Sequence, residues 1–437
     1  MWGLIFLFLI FMPMSVSRDW HLMIISQVGI TIIFAISFNQ LLGQTGLLNL
    51  GHSIFMGAGS YFSGLILLQI NNGTLYIPLP ILPLFGGVAG FILAGIIGFF
   101  SVQRAGMIFA MLTLALLEFV NSFSISFPSV LGGMTVDRTL NTDFFNFNYS
   151  SKKSVCRIVM TWLFISLYVS YYFLQTPLGK MCNAVRENPS RTEYIGYSIY
   201  MVRYLSFCFS GFIAGIAGTL FVINYELVSP EVFSLRESFN ILSATFIGGT
   251  GYFFGPIIGA TIFSISSIAL SNSTEIWSLY QGILLMIFVL YFPRGLTGFF
   301  IDQRDFNKSK SKLGVLYHYL ITIVPALVTI FSVAWLIECL NTILHHQEKA
   351  DFVFLWLLFS TSNPLNWFAA ISLGGLGIYF LVSNINIKKN IRYRRLGSSQ
   401  NGLLLIQSTV SRIIVGKSLI LTPRLSLRLK SNWVGAI

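Results

Sequence analysis

Charge is what this sequence has least of. Of 437 residues, 10% are Asp, Glu, Lys or Arg, while 55% are hydrophobic. A soluble globular chain carries about 25% charged residues. So thin a supply could not cover a water-facing surface, and lipid is the solvent that removes the need. Cysteine is also scarce. Cys156, Cys182, Cys208 and Cys339 are scattered with no CxxC pair, which argues against a disulfide framework or a thiolate metal site. His21, His52, His318, His345 and His346 stand at no zincin spacing, so no metal is expected. Acidic residues are absent after Asp351, and every charge from Lys388 to Lys430 is positive. After many membrane segments such a tail reads as a cytoplasmic flank near anionic head groups, not as a nucleic-acid-binding arm.

What is present in abundance is long apolar runs. They cover 23–42, 50–70, 78–102, 105–127, 155–174, 204–223, 241–270, 276–292, 315–340 and 352–382. A helix of about 20 residues crosses ~30 Å of hydrocarbon and satisfies its own backbone. The expected fold is therefore an all-α polytopic bundle of about 9–12 spans. The run at 2–14 is short and suits an interfacial first helix. The run at 241–270 contains Gly248, Gly249, Gly251, Gly255, Pro256 and Gly259, so it cannot be one regular helix. Broken backbone at membrane depth survives only inside protein or beside a water-filled cavity.

The polar loop at 175–203 is rich in Lys180, Arg186, Arg191 and Arg203, which puts it on the cytoplasmic side together with 293–313 and the tail. Within it, "VRENPSRTEYIG" frames a short helix. Asn188 is a good N-cap, Pro189 suits the first helical position, and Gly196 can close the end in the left-handed conformation. A capped, charged helix of about two turns suits docking into a partner's cleft, although it could equally be a structured interhelical turn.

Several segments carry a family resemblance. "AVRENPSRTEYIGYSIYMVRYLSF", "SGFIAGIAGTLF", "VSPEVFSLRESFNILSATFIGGTGYFFGPIIGA", "YFPRGLTGFF", "NQLLGQTGLLNLGHSIFMGAGSYFSG" and "AMLTLALLEFV" together resemble the LivM-like permeases of branched-chain amino acid ABC importers. The resemblance implies a multi-pass subunit of the bacterial inner (plasma) membrane with no ATPase site and no cofactor of its own. It implies two cytoplasmic ATPase subunits as partners, a second related permease and a substrate-binding protein. The substrate would be a branched-chain amino acid. On the coupling loop it carries over Arg186, Glu187, Asn188, Glu193 and Gly196.

Candidates for the translocation path or its helix seams come from composition within the membrane. Gly43, Gly46 and Gly51 recur in one stretch, and Gly248, Gly249, Gly251 and Gly255 in another. Small residues let helices approach closely in lipid, for sliding or for static packing. Asn49 and His52 belong to a polar group with Asn39, Gln40 and Gln44, suited either to a zwitterionic substrate or to bonding helices together. Glu118, inside an apolar run, is expected to face a cavity or a partner, or to lie near a membrane face. The segment "NYELVSPEVFSLRESFN", with Glu226, Glu231, Arg236 and Glu237, reads as the outer mouth.

Two patterns carry nothing. "VGKS" at 415–418 lacks the upstream glycine of a phosphate-binding loop, and "GGTGYFFG" follows no strand. The domain division expected is a permease at 1–300, a polar linker at 301–313, a further pair of spans at 314–383 and a basic tail at 384–437. Other readings are the same machinery for urea, short amides or another small polar solute, and a secondary transporter. The last would want several ionisable groups at mid-membrane. A membrane-embedded enzyme would need a nucleophile–base pair or clustered ligands, which the sequence does not offer.

Overall fold

The computed structural model describes residues 18–104, 106–138, 149, 151–272, 276–291 and 295–298, with isolated residues before 18 and short pieces between 332 and 379. The chain divides into two compact units, Met1–Phe306 and Asn307–Ile437. The first is built of α1 (Asp19–Asn39), α2 (Ser53–Asn71), α3 (Leu82–Ser101), α4 (Met107–Ser126), α5 (Lys152–Gln175), α6 (Pro177–Glu187), α7 (Pro189–Tyr194), α8 (Ile199–Tyr225), α9 (Leu235–Gly248), α10 (Gly255–Ser271) and α11 (Trp277–Tyr291). Among the described residues six helices are long and apolar enough to cross a membrane: Asp19–Thr45, Ser53–Asn71, Leu79–Ser101, Met107–Ser126, Lys152–Gln175 and Ile199–Tyr225. The shorter α9, α10 and α11 fill the rest of the bundle. The expected run at 241–270 is split between α9 and α10, as its glycines require.

Helix α8 is the centre of the unit, packed on α1, α2 and α3. Its face toward α3 carries Gly211 and Gly215, which meet Gly86 and Gly90. A Cβ added at Gly90 would fall 3.0 Å from the Gly215 Cα and closer still to the Gly211 carbonyl. Only hydrogen fits there, so the two backbones touch. In lipid no hydrophobic force pulls helices together, and contact of this kind supplies the attraction instead. Hydroxyls add bonds across the seams. Ser60 Oγ donates to the Gly218 carbonyl at 3.1 Å, Ser210 Oγ to the Ser37 carbonyl at 2.7 Å, and Thr45 and Ser206 share a bond of 2.8 Å.

One end of the bundle collects Arg104, the Phe99 carbonyl, which accepts from Tyr200 Oη at 3.2 Å, and the α6–α7 pair. With Lys180, Arg186, Arg191 and Arg203 also there, this is the end that the sequence reading assigns to the cytoplasm. At the opposite end β1 (Met134–Thr135) pairs antiparallel with β2 (Leu227–Val228), the one departure from an all-α unit among its described residues. Arg138 staples this end. Its guanidinium donates from Nη1 to the Ile223 carbonyl at 2.8 Å and from Nε to the Tyr149 carbonyl at 3.1 Å, and Nε lies 3.1 Å from Glu226 Oε1. It thus satisfies a carbonyl that the last turn of α8 leaves open. Burial pulls the guanidinium pKa below its usual value, and Glu226 and Asp137 act the other way.

Arg138→Ala removes bonds to a charged donor, each worth roughly 1.5–3 kcal/mol. The share from Glu226 counts for less, because that side chain is 36% exposed. A lowered melting temperature in detergent is expected for Arg138→Ala, and a smaller drop for Glu226→Gln. Equal melting of the Arg138 variant and the native chain would remove the staple.

In the second unit the described residues include an antiparallel hairpin of β3 (Asp351–Phe354) and β4 (Leu357–Ser360), in register Phe352 with Phe359. The run at 352–382, expected as a single span, therefore begins as paired strands, for which Phe and Val are well suited. The remainder of the expected spans at 314–383, the linker at 301–313 and the tail at 384–437 lie almost entirely outside the described residues.

Candidate functional site

Two interruptions of helical backbone meet inside the first unit. The first follows α1, where a π-helical turn, Gln40–Thr45, ends at Gly46 with φ +76°. The second lies between α9 and α10, where Gly249 has φ +110° and Gly251 φ +90°. Side chains from the first satisfy the second. Asn39 Nδ2 donates to the Tyr252 carbonyl at 3.2 Å, while Asn39 Oδ1 accepts from the Gly251 amide at 3.1 Å. Gln44 Nε2 donates to the Gly251 carbonyl at 3.3 Å, and Thr297 Oγ1 to the Gly248 carbonyl at 2.7 Å. This is how irregular backbone is kept at membrane depth without open polar groups. Gly43 lies against the Gly251 amide, so a side chain there would push the two breaks apart, while one at Gly248, which lies against Gly255 and Gly259, would part α9 from α10.

Arg186, the penultimate residue of α6, ties the breaks to the cytoplasmic loop. Its Nη1 donates to the Gly43 carbonyl. The same guanidinium lies beside Gly251, and its aliphatic stem packs on Gly46. One side chain therefore touches both interruptions.

From Arg186 the chain passes directly into the capped helix. Asn188 Oδ1 accepts from the Arg191 amide at 3.1 Å, Pro189 opens α7, and Gly196 follows with φ +93°. The local rules that frame this helix in the sequence are those that shape it. Its base is a small apolar cluster of Cys182, Val185 and Val202. Its tip is open. Tyr194 is 90% exposed and Ile195 70% exposed, with Glu187, Arg191 and Glu193 exposed around them.

The structure thus brings Gly43, Gly46, Gly248, Gly249, Gly251 and Gly255 together with Arg186. Glu187, Asn188, Glu193 and Gly196 sit at the adjoining tip. Asn49, Gly51 and His52 form a separate buried turn. Asn49 Oδ1 accepts from the Gly51 amide at 3.0 Å, and His52 Nε2 lies 2.8 Å from Ser37 Oγ. The imidazole stacks on Phe34 at 5.2 Å, and its edge contacts reach Phe38 and Phe55. These polar groups bond helices together.

Glu118 stands elsewhere. It is exposed on α4, which fits the expected places at a partner or a membrane face. The packed stripe of α4 runs through Phe109, Ala110, Thr113 and Leu117, and the next residue turns about 100° away from it. Of the residues that hold the second break, Asn39 and Gln44 belong to the polar group read from the sequence, while Thr297 escapes that reading. The polar end of the first long apolar run was the signal for Asn39, while Thr297 gave none. Among the described residues no group of three His, Cys, Asp or Glu could hold a metal ion.

Comparison with known proteins follows the same outline. The sequence model described as "Branched-chain amino acid transport system / permease component" matches residues 21–290. The chain is 29% identical over 308 residues to the high-affinity branched-chain amino acid transport system permease protein LivM of Escherichia coli K12, covering 65% of this chain and 71% of that one. It is 27% identical over 324 residues to LivM of Salmonella typhimurium, covering 69% and 75%. With the E. coli permease protein LivH it shares 23% over 293 residues, 61% of this chain and 90% of that one. No solved structure matches significantly. A permease component is the membrane-spanning, not the ATP-hydrolysing, part of such a system, and it uses no cofactor of its own. The chain belongs to the branched-chain amino acid ABC transport permease family, as a multi-pass helical membrane protein of a bacterial inner-membrane type.

Proposed function

We propose that this chain forms part of the path by which branched-chain amino acids enter the cell, driven by ATP hydrolysis on two cytoplasmic partner subunits. A second permease of related sequence and a substrate-binding protein complete the machine. The observation that carries this reading is the Arg186 bridge. A rigid helix with an open tip is joined, through one side chain, to the two places where the membrane helices are interrupted. Force applied at α7 passes through the Asn188 turn to Arg186 and so to Gly43 and Gly251, and glycine-rich breaks are where packed helices change relative angle. The amino-acid substrate is supported by the names of the relatives.

The tip has the make-up of a docking surface, with an aromatic and an aliphatic residue ringed by charge. Tyr194→Ala, and separately Glu187→Ala with Glu193→Ala, should weaken retention of the ATPase subunits about tenfold or more, as loss of an interface anchor does. Co-purification from membranes measures this, with membrane insertion unchanged. Retention at the native level in both variants would refute the docking role. Uptake of leucine, isoleucine and valine into vesicles, with and without ATP, tests the transport reading. Uptake that persists with no ATPase subunit present would overturn it.

A further inference from the structure

The break region is not the only interior feature of the first unit. A cavity of about 210 Å³ opens between α1, α8, α9, α10 and the start of α11. That is several times the ~30 Å³ a water molecule takes in the liquid. Phe34, Ile241 and Phe263 supply an apolar wall, while Arg236, Glu237 and Asn240 face the same space from the first turns of α9.

Arg236 and Glu237 are consecutive, so they leave the helix about 100° apart. Among the described residues neither lies within ion-pair distance of an opposite charge. The Arg236 guanidinium instead lies 4.7 Å over the Trp277 ring. Stacking of this kind fixes the plane and leaves the N–H edges open for a carboxylate. Glu237 Oε1 accepts a long bond of 3.4 Å from Asn240 Nδ2, which orients it and leaves acceptor capacity unused. Arg236 is exposed and Glu237 partly buried, so the two form a charged rim on the apolar wall and attract each other only from beyond ion-pair distance.

We propose that this cavity is a binding site for a zwitterionic α-amino acid with an apolar side chain. The ligand's carboxylate lies on Arg236, its ammonium on Glu237, and its side chain against Phe34, Ile241 and Phe263. The proposal deepens the transport reading above and rests on it. It also separates the amino acid from a neutral solute such as urea or a short amide, which would make neither charged contact.

Three probes of one shape test it on the purified full-length chain: leucine, leucinamide, which lacks the carboxylate, and 4-methylpentanoate, which lacks the ammonium. The native protein should bind leucine at least tenfold more tightly than either analogue. Arg236→Gln should abolish the preference for leucine over leucinamide and keep that over 4-methylpentanoate. Glu237→Gln should do the reverse. A merely structural role would weaken all three ligands alike, and that result overturns the site. If a variant does not fold, the native panel decides, since equal affinity for the three probes overturns the site by itself. Leucine binding left intact in both variants refutes the site and spares the transport reading. ATP-driven uptake of some other solute with no leucine binding refutes both.

Discussion

Gly215→Leu should leave almost no folded permease to purify. Gly215 faces the Gly86 carbonyl, lies 3.1 Å from the Gly87 Cα as measured from an added Cβ, and abuts Gly59 on another side. In soluble cores, overpacking by a few methylenes costs about 1–3 kcal/mol, because neighbouring side chains shift to make room. Here the obstacles are backbone atoms of α3, which cannot turn aside. The whole α3–α8 contact would have to open, and with it the main attraction between those helices. Gly282→Leu is the matched control. That glycine lies on α11, where an added Cβ meets nothing within 4 Å, and leucine is the better helix former. Size-exclusion profiles and melting curves should separate the pair clearly. Equal recovery of the two variants would mean that the seam does not hold the bundle.

Arg186→Ala should give an importer that assembles and hydrolyses ATP but moves little substrate. The side chain is not at the exposed tip of α7, so ATPase association is expected to persist. What is lost is a charged hydrogen bond to the Gly43 carbonyl and the contact with Gly251. A bond of that type is worth roughly 1.5–3 kcal/mol, which is about 10- to 100-fold in the balance between conformations. Uptake per ATP hydrolysed should fall by that factor. Arg186→Lys keeps the charge without the planar fork and should fall between. Uptake that declines only in step with ATP hydrolysis would show that the bridge transmits nothing. The α7 tip variants make a useful contrast, since they should lose the partner and not the coupling ratio.

Features set by near neighbours in the chain were legible in the sequence. The frame of α7 follows from Asn188, Pro189 and Gly196, each acting within one turn of itself. The break between α9 and α10 follows from its glycines and Pro256. The six apolar runs between 23 and 223 became helices because lipid leaves the backbone no other partner. Features set by pairing across the fold were not legible. Asn39 meets Tyr252 over 213 positions of chain, and no local rule links them. The surroundings of Glu118 stayed open because one acid in an apolar run does not reveal which side of its helix is covered. Arg236 and Glu237 read as part of the outer mouth, since no apolar run surrounds them. They belong to a short helix whose polar first turns border a cavity. The count of spans was harder still, as interrupted helices blur the length rule on which it depends.

The position of α8 has a consequence for synthesis. Its partners α1, α2 and α3 all precede it in the chain, and domains fold in the order in which they leave the ribosome. The groove that accepts it, floored by glycine on two helices, can therefore be ready before α8 arrives. Its stripe of small residues is a poor surface for acyl chains to wet, so its residence among lipids should be brief. The α6–α7 segment emerges just ahead of it, and closing the groove sets that segment in place.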